Sequence, residues 1–169
     1  MKKFEKLLSG GDLRSIGLSN QVVAMVETQK DFDELFEGFF HPERLIVMRV
    51  ADVVEKITLK NPSFLQKHAD DILRLCDSAK NIELKWHLAL LIPRLEFTVE
   101  GTARAWSIVS RWASDQKESK IVRVNSLEAV VKMSKKNPLL EADAQNIIHN
   151  LMSENIPSIN ARIKKLTQR

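Results

Sequence analysis

The sequence predicts an all-α fold, a right-handed α-solenoid of about four helical hairpins. Three observations carry that expectation. Turn signals cut the 169 residues into segments of helical length with helical apolar spacing. One apolar pattern recurs along the chain at nearly constant separation. And the segment around Trp86 to Leu95 is apolar nearly all round, so it has to be covered on several sides. A chain of this length suggests a single domain over residues 1–169, burying about 70% of its unfolded surface.

The elements follow in order. Residues 4–8 suggest a short terminal helix, and 20–29 a second. Asp31-Phe-Asp-Glu34 has the spacing of a capping box and opens a helix over 31–40. His41-Pro42 closes that helix, and Pro42 suits the first turn of the next, 42–59. There Ile46, Val50, Val53, Val54 and Ile57 share one face. Asn61-Pro62 and Asn137-Pro138 each join an N-cap to a proline at the first helical position, opening helices over 62–78 and 138–153. The remaining segments are 82–97, 99–114, 117–135 and 157–167. Pro93 falls inside 82–97 and should kink it, because proline cannot donate to the carbonyl of Ala89.

The repeat is explicit. Leu35-Phe36-x-x-Phe39, Ile72-Leu73-x-x-Cys76, Ile108-Val109-x-x-Trp112 and Ile147-Ile148-x-x-Leu151 begin 37, 36 and 39 residues apart. Between them lie second helices that align at an offset of 38: Met48 with Trp86 and Val124, Val53 with Leu91 and Ala129, Val54 with Ile92 and Val130, and Ile57 with Leu95 and Met133. This divides the chain into an N-terminal cap, 1–30, and hairpins over 31–60, 62–97, 99–135 and 138–168. A hairpin of this kind buries its second apolar face by stacking on its neighbours, which produces a concave and a convex surface.

The chain here resembles the HEAT-repeat (armadillo-type) family. Val122-Arg123-Val124-Asn125-Ser126 matches the usual opening of a HEAT second helix, and Leu84-Lys85-Trp86-His87-Leu88-Ala89 approximates it. Val47 and Asn160 replace the basic residue in the first and last units, so the motif is only partly kept. The wording around Arg49–Lys56 and Lys85–Ala89 is also similar to small bacterial HEAT-repeat proteins of unassigned function. The resemblance implies a fold and a habit of binding other macromolecules; it implies no reaction.

Composition narrows the function classes. The single Cys76 excludes an internal disulfide framework and any Cys-x-x-Cys motif. No phosphate-binding glycine loop, Gly-x-Ser-x-Gly elbow or His-Glu-x-x-His occurs, and no Glu stands three residues before a His, so no metal, cofactor or catalytic residue is assigned. The absence of an 18-residue apolar run, with a lysine-rich start lacking an export core, leads to the expectation of a soluble, cytoplasmic protein with no membrane partner.

Charge is uneven. Residues 1–84 carry 12 Lys and Arg against 14 Asp and Glu, whereas residues 85–169 carry 14 against 8. Lys56, Arg94 and Lys132 recur at an offset of 38, with Arg49, His87 and Asn125 as a parallel polar row and Lys85 and Arg123 nearby. Stacked helices would turn these residues into a strip that meets carboxylates or phosphates. The same cations would also serve helix C-termini, and Lys56 and Lys132 stand four residues after Asp52 and Glu128, the spacing of an intrahelical ion pair. Trp86 and Trp112 fall at core positions, while Trp106, Arg104 and Arg111 allow an aromatic and basic surface.

The first functional reading is therefore a noncatalytic scaffold holding a protein partner on its concave surface. Nucleic acid bound through the basic second half is the competing partner. It has an enzymatic variant in the alkylpurine DNA glycosylases built on HEAT-like repeats, for which Asp52 is the nearest candidate acid.

Overall fold

The structure is a computed structural model that describes residues 1–12 and 17–168; part of the expected N-terminal cap, 13–16, lies outside the described residues. Those residues form helices and connecting turns, with no strand among them. The chain divides into two compact units, Met1–Lys67 and His68–Arg169.

The first unit contains α1 (Lys2–Leu8), α2 (Ser19–Met25), α3 (Gln29–Phe36) with a 3-10 turn at Glu37–Phe40, α4 (Arg44–Lys60) and the short α5 (Ser63–Gln66). α4 is the central element and packs on α1, α2, α3 and α5. The capping box that starts α3 lies three residues before the expected one. Thr28 Oγ1 accepts from Asp31 N–H at 3.2 Å, and the Asp31 carboxylate accepts from Thr28 N–H at 3.1 Å. Gly38 lets the 3-10 turn lie directly on α4, since a Cβ there would stand 2.6 Å from Val50 Cγ2. Phe32, Phe36, Phe39 and Phe64 form an aromatic cluster with ring centroids 4.9–6.3 Å apart. The terminal amine of Met1 binds Glu34 at 2.9 Å, fastening α1 to α3.

The second unit contains α6 (Ala69–Ser78), α7 (Ile82–Leu91), a 3-10 turn at Ile92–Arg94, α8 (Val99–Ser114), α9 (Lys120–Lys136), a second turn at Pro138–Leu140, α10 (Glu141–Ser153) and α11 (Pro157–Thr167). Its helices touch in two series: α6 on α8 on α10, and α7 on α9 on α11. α9 also contacts α8 and α10, which explains why Val122 to Leu127 are all buried. Side-chain caps from Thr98, Ser119 and Asn137 accept from the N–H groups of Gly101, Val122 and Leu139.

Two proline expectations resolve differently. Pro93 ends the regular helix instead of kinking it: α7 stops at Leu91, and after the turn Leu95 is extended (φ −98°, ψ 149°). The missing N–H breaks the hydrogen-bond ladder, and no continuing helix follows to restore it. The segment expected over 62–78 is also broken, into α5 and α6, with His68 (φ −103°, ψ 17°) between them.

All four copies of the first-helix pattern are buried, from Leu35, Phe36 and Phe39 to Ile147, Ile148 and Leu151. So are Val53, Leu91 and Ala129, Val54, Ile92 and Val130, and Ile57, Leu95 and Met133. The remaining row departs from this regularity: Met48 and Trp86 are half-buried, and Val124 at the matching position is buried.

Candidate functional site

The polar residues singled out in the sequence fall into two physical groups. Arg49, His87, Asn125 and Arg123 are between 1 and 5% exposed, so they belong to the interior of their units and not to an open strip. A buried guanidinium has to be hydrogen-bonded, because an uncompensated charge away from water is costly. Arg49 Nη1 donates to the carbonyls of Leu8, Ser9 and Gly10 at 2.8, 3.1 and 2.7 Å, and Nη2 to that of Asp12 at 3.3 Å. Gly10 and Gly11 adopt φ of 73° and 76°, bending the backbone around the cation. Gly17 closes the other side: a Cβ there would lie 3.0 Å from Arg49 Cζ. Pattern reasoning on α4 alone could not find this role, but three glycines among the first seventeen residues were its trace.

Lys85 and Arg123 occupy corresponding positions on α7 and α9 and act alike. Arg123 Nε donates to Ala113 O at 2.9 Å and its Nη2 to Glu154 Oε1 at 2.7 Å. That hydrogen bond outweighs burial and holds the Glu154 carboxyl below its ordinary pKa. Lys85 pairs with Glu118 and stands 5.8 Å from the Trp112 ring centroid. Each cation thus ties a second helix to the connection between the two helices of the following hairpin.

The second group reaches solvent. Lys56, in the first unit, is about one-third exposed and donates to Asp52 at 2.8 Å and to Asn20 at 3.0 Å. In the second unit, Arg94 is half-buried in the turn after α7, and Lys132 is exposed on α9 with Glu128 at 2.6 Å. Both i, i+4 pairs expected from spacing form. Glu128 also receives a hydrogen bond from Arg162. Burial pushes the Glu128 carboxyl up, but Lys132 and then Arg162 together outweigh it and leave the pKa below the ordinary value.

Of the aromatic candidates, Trp112 is 3% and Trp106 is 9% exposed. Trp106 Nε1 donates to Asp143 at 2.7 Å, linking α8 to α10. Neither ring is open for stacking on a base. Arg104 pairs with Asp77 on α6. Burial pushes the Cys76 thiol far above its ordinary pKa, which is the condition of an inert thiol. Among the described residues, no helix is long and apolar enough to cross a membrane.

No protein-family model matches the sequence, and no curated protein matches it. The fold is similar to the X-ray structure of YIBA of E. coli, a structural-genomics target, at a TM-score of 0.61 and 18% identity. That likeness covers 94% of this chain, which spans about half, 54%, of the other. At this identity the likeness concerns the fold: an all-helical chain with an all-helical neighbour.

Proposed function

We propose that the protein is a noncatalytic scaffold, a HEAT-like α-solenoid of about four hairpins that holds a protein partner on the surface formed by its second helices. The observation that carries this reading is the series α7, α9, α11, whose members pack side by side while α9 keeps Lys132, Lys135 and Lys136 exposed. Lys132 pairs with Glu128 and Lys136 with Glu96, while Lys135 reaches only the carbonyl of Leu166. A surface of successive helices that still carries an excess of cations suits an extended partner. Arg94 occupies the equivalent position of the preceding repeat in the same unit and would extend the same recognition; Lys56 holds that position in the first unit.

The ion pair of Asp52 with Lys56 and the burial of Trp106 and Trp112 weigh against glycosylase chemistry, which would call for a free acid beside open aromatic rings. Nucleic acid is the competing partner, favoured by the basic balance of residues 85–169. Affinity capture from the source cell, followed by titration of any captured protein and of duplex DNA across salt concentrations, tests the choice. A protein partner with modest salt dependence supports the scaffold. Duplex DNA bound with a steep log-affinity against log-salt slope would replace it.

A further inference from the structure

Cations gather on one face of the second unit. Lys132 and Lys135 of α9 and Arg162 and Lys165 of α11 line a depression of about 280 Å³, with Val131 and Leu166 as its apolar part and Glu128 as its acidic residue. Glu128 already serves both Lys132 and Arg162. Lys135 reaches only the carbonyl of Leu166, at 3.4 Å, and among the described residues neither Lys135 nor Lys165 has a carboxylate partner. The last turns of α9 and α11 favour positive charge through their carbonyl ends, which lets the fold tolerate the crowding without neutralising it. A concave site with one sign of charge in excess concentrates ligands of the opposite sign.

The depression has an apolar neighbour. Val131, Lys135 and Leu166 also border a second depression, of about 340 Å³, that continues between α9 and α10. Ala144 and Ile148 form its apolar wall, and Glu141 and Gln145 stand along it. A negative group and an aliphatic group placed next to each other would therefore both find a complement. Neither α9, α10 nor α11 carries Phe, Trp or Tyr, so nothing here offers a base a stacking platform.

We infer that the α9–α11 face binds an acidic segment of a protein partner, an Asp or Glu side chain meeting Lys132, Lys135, Arg162 and Lys165 while an adjacent aliphatic side chain enters the depression beside Ala144 and Ile148. This rests on the scaffold reading and names the chemistry its partner must present. Glu128 acts as the internal competitor: it occupies two of the four cations until a ligand carboxylate shares them.

The test is fluorescence anisotropy on the full chain with a labelled peptide of alternating Asp and Leu, its Asn and Leu counterpart, and labelled duplex and single-stranded DNA. The acidic peptide should bind, the neutral one should not, and affinity should fall as salt rises. Lys135→Gln with Lys165→Gln should weaken the acidic peptide by about tenfold, two exposed charge contacts, with unchanged helical signal and melting. Glu128→Gln should tighten it severalfold even where it lowers the melting temperature, an effect that a purely structural carboxylate would not produce. Equal binding of the two peptides, indifference to the lysine variant, weaker binding by Glu128→Gln, or DNA held more tightly through the same lysines would each overturn the inference. A captured protein whose affinity ignores Lys135 and Lys165 would do so while leaving the scaffold reading intact.

Discussion

Arg123 on α9 binds Glu154, the residue after α10, at 2.7 Å while its Nε holds the carbonyl of Ala113 at the end of α8. One buried side chain thereby joins three helices of two successive hairpins. Arg123→Ala should cost about 1–3 kcal/mol, because it leaves the Ala113 carbonyl without its donor and the half-buried Glu154 without its cation. Arg123→Met should cost less, since it keeps the volume without a charge. Urea denaturation of the variants measures both.

Arg49 makes the corresponding prediction for the first unit. Arg49→Leu removes the donor to four backbone carbonyls, those of Leu8, Ser9, Gly10 and Asp12. Hydrogen exchange should accelerate across α1 and residues 9–12 with stability falling by about 3 kcal/mol. Gly17→Ala should act in the same direction, since it combines a φ of 54° with a close approach to the guanidinium.

Leu91 is fully buried at the end of α7. Leu91→Ala should lose about 2–5 kcal/mol by thermal or urea unfolding, the range of a buried leucine.

Acid should destabilise the protein. Glu34, Glu128 and Glu154 all have pKa values below the ordinary 4.5, held there against burial by the terminal amine, by Lys132 with Arg162, and by Arg123. Asp31 is lowered too, by Lys3 and then Thr28. A carboxylate with a depressed folded-state pKa stabilises fully above its unfolded value and loses that contribution as it is protonated in the fold. The melting temperature should therefore hold near neutrality and fall steadily below about pH 4.5, the ordinary glutamate value. Glu154→Gln should blunt that fall.

The apolar pattern was legible because helical spacing is a local property that packing preserves: Leu35, Ile72, Ile108 and Ile147 are all buried, as their common pattern demands. Helix ends were less legible where two signals competed. Thr28-x-x-Asp31 and Asp31-x-x-Glu34 both have capping-box spacing, and Thr28 prevails by exchanging hydrogen bonds with Asp31. The fate of the polar rows was not legible. Arg49 and Arg123 look like surface cations on a helical pattern, yet carbonyls 37–41 residues earlier and a carboxylate 31 residues later bring them inside. Such pairings depend on which loop each helix faces, and helix periodicity holds no information about that.

If the exposed cations of the second helices hold a protein partner, removing them should release it. The most direct measurement is the affinity of a captured partner for the wild-type chain and for the variant with Lys132, Lys135 and Lys136 of α9, all exposed, replaced by alanine. Affinity should fall clearly, with the helical signal unchanged. Equal affinity of the two proteins would contradict it.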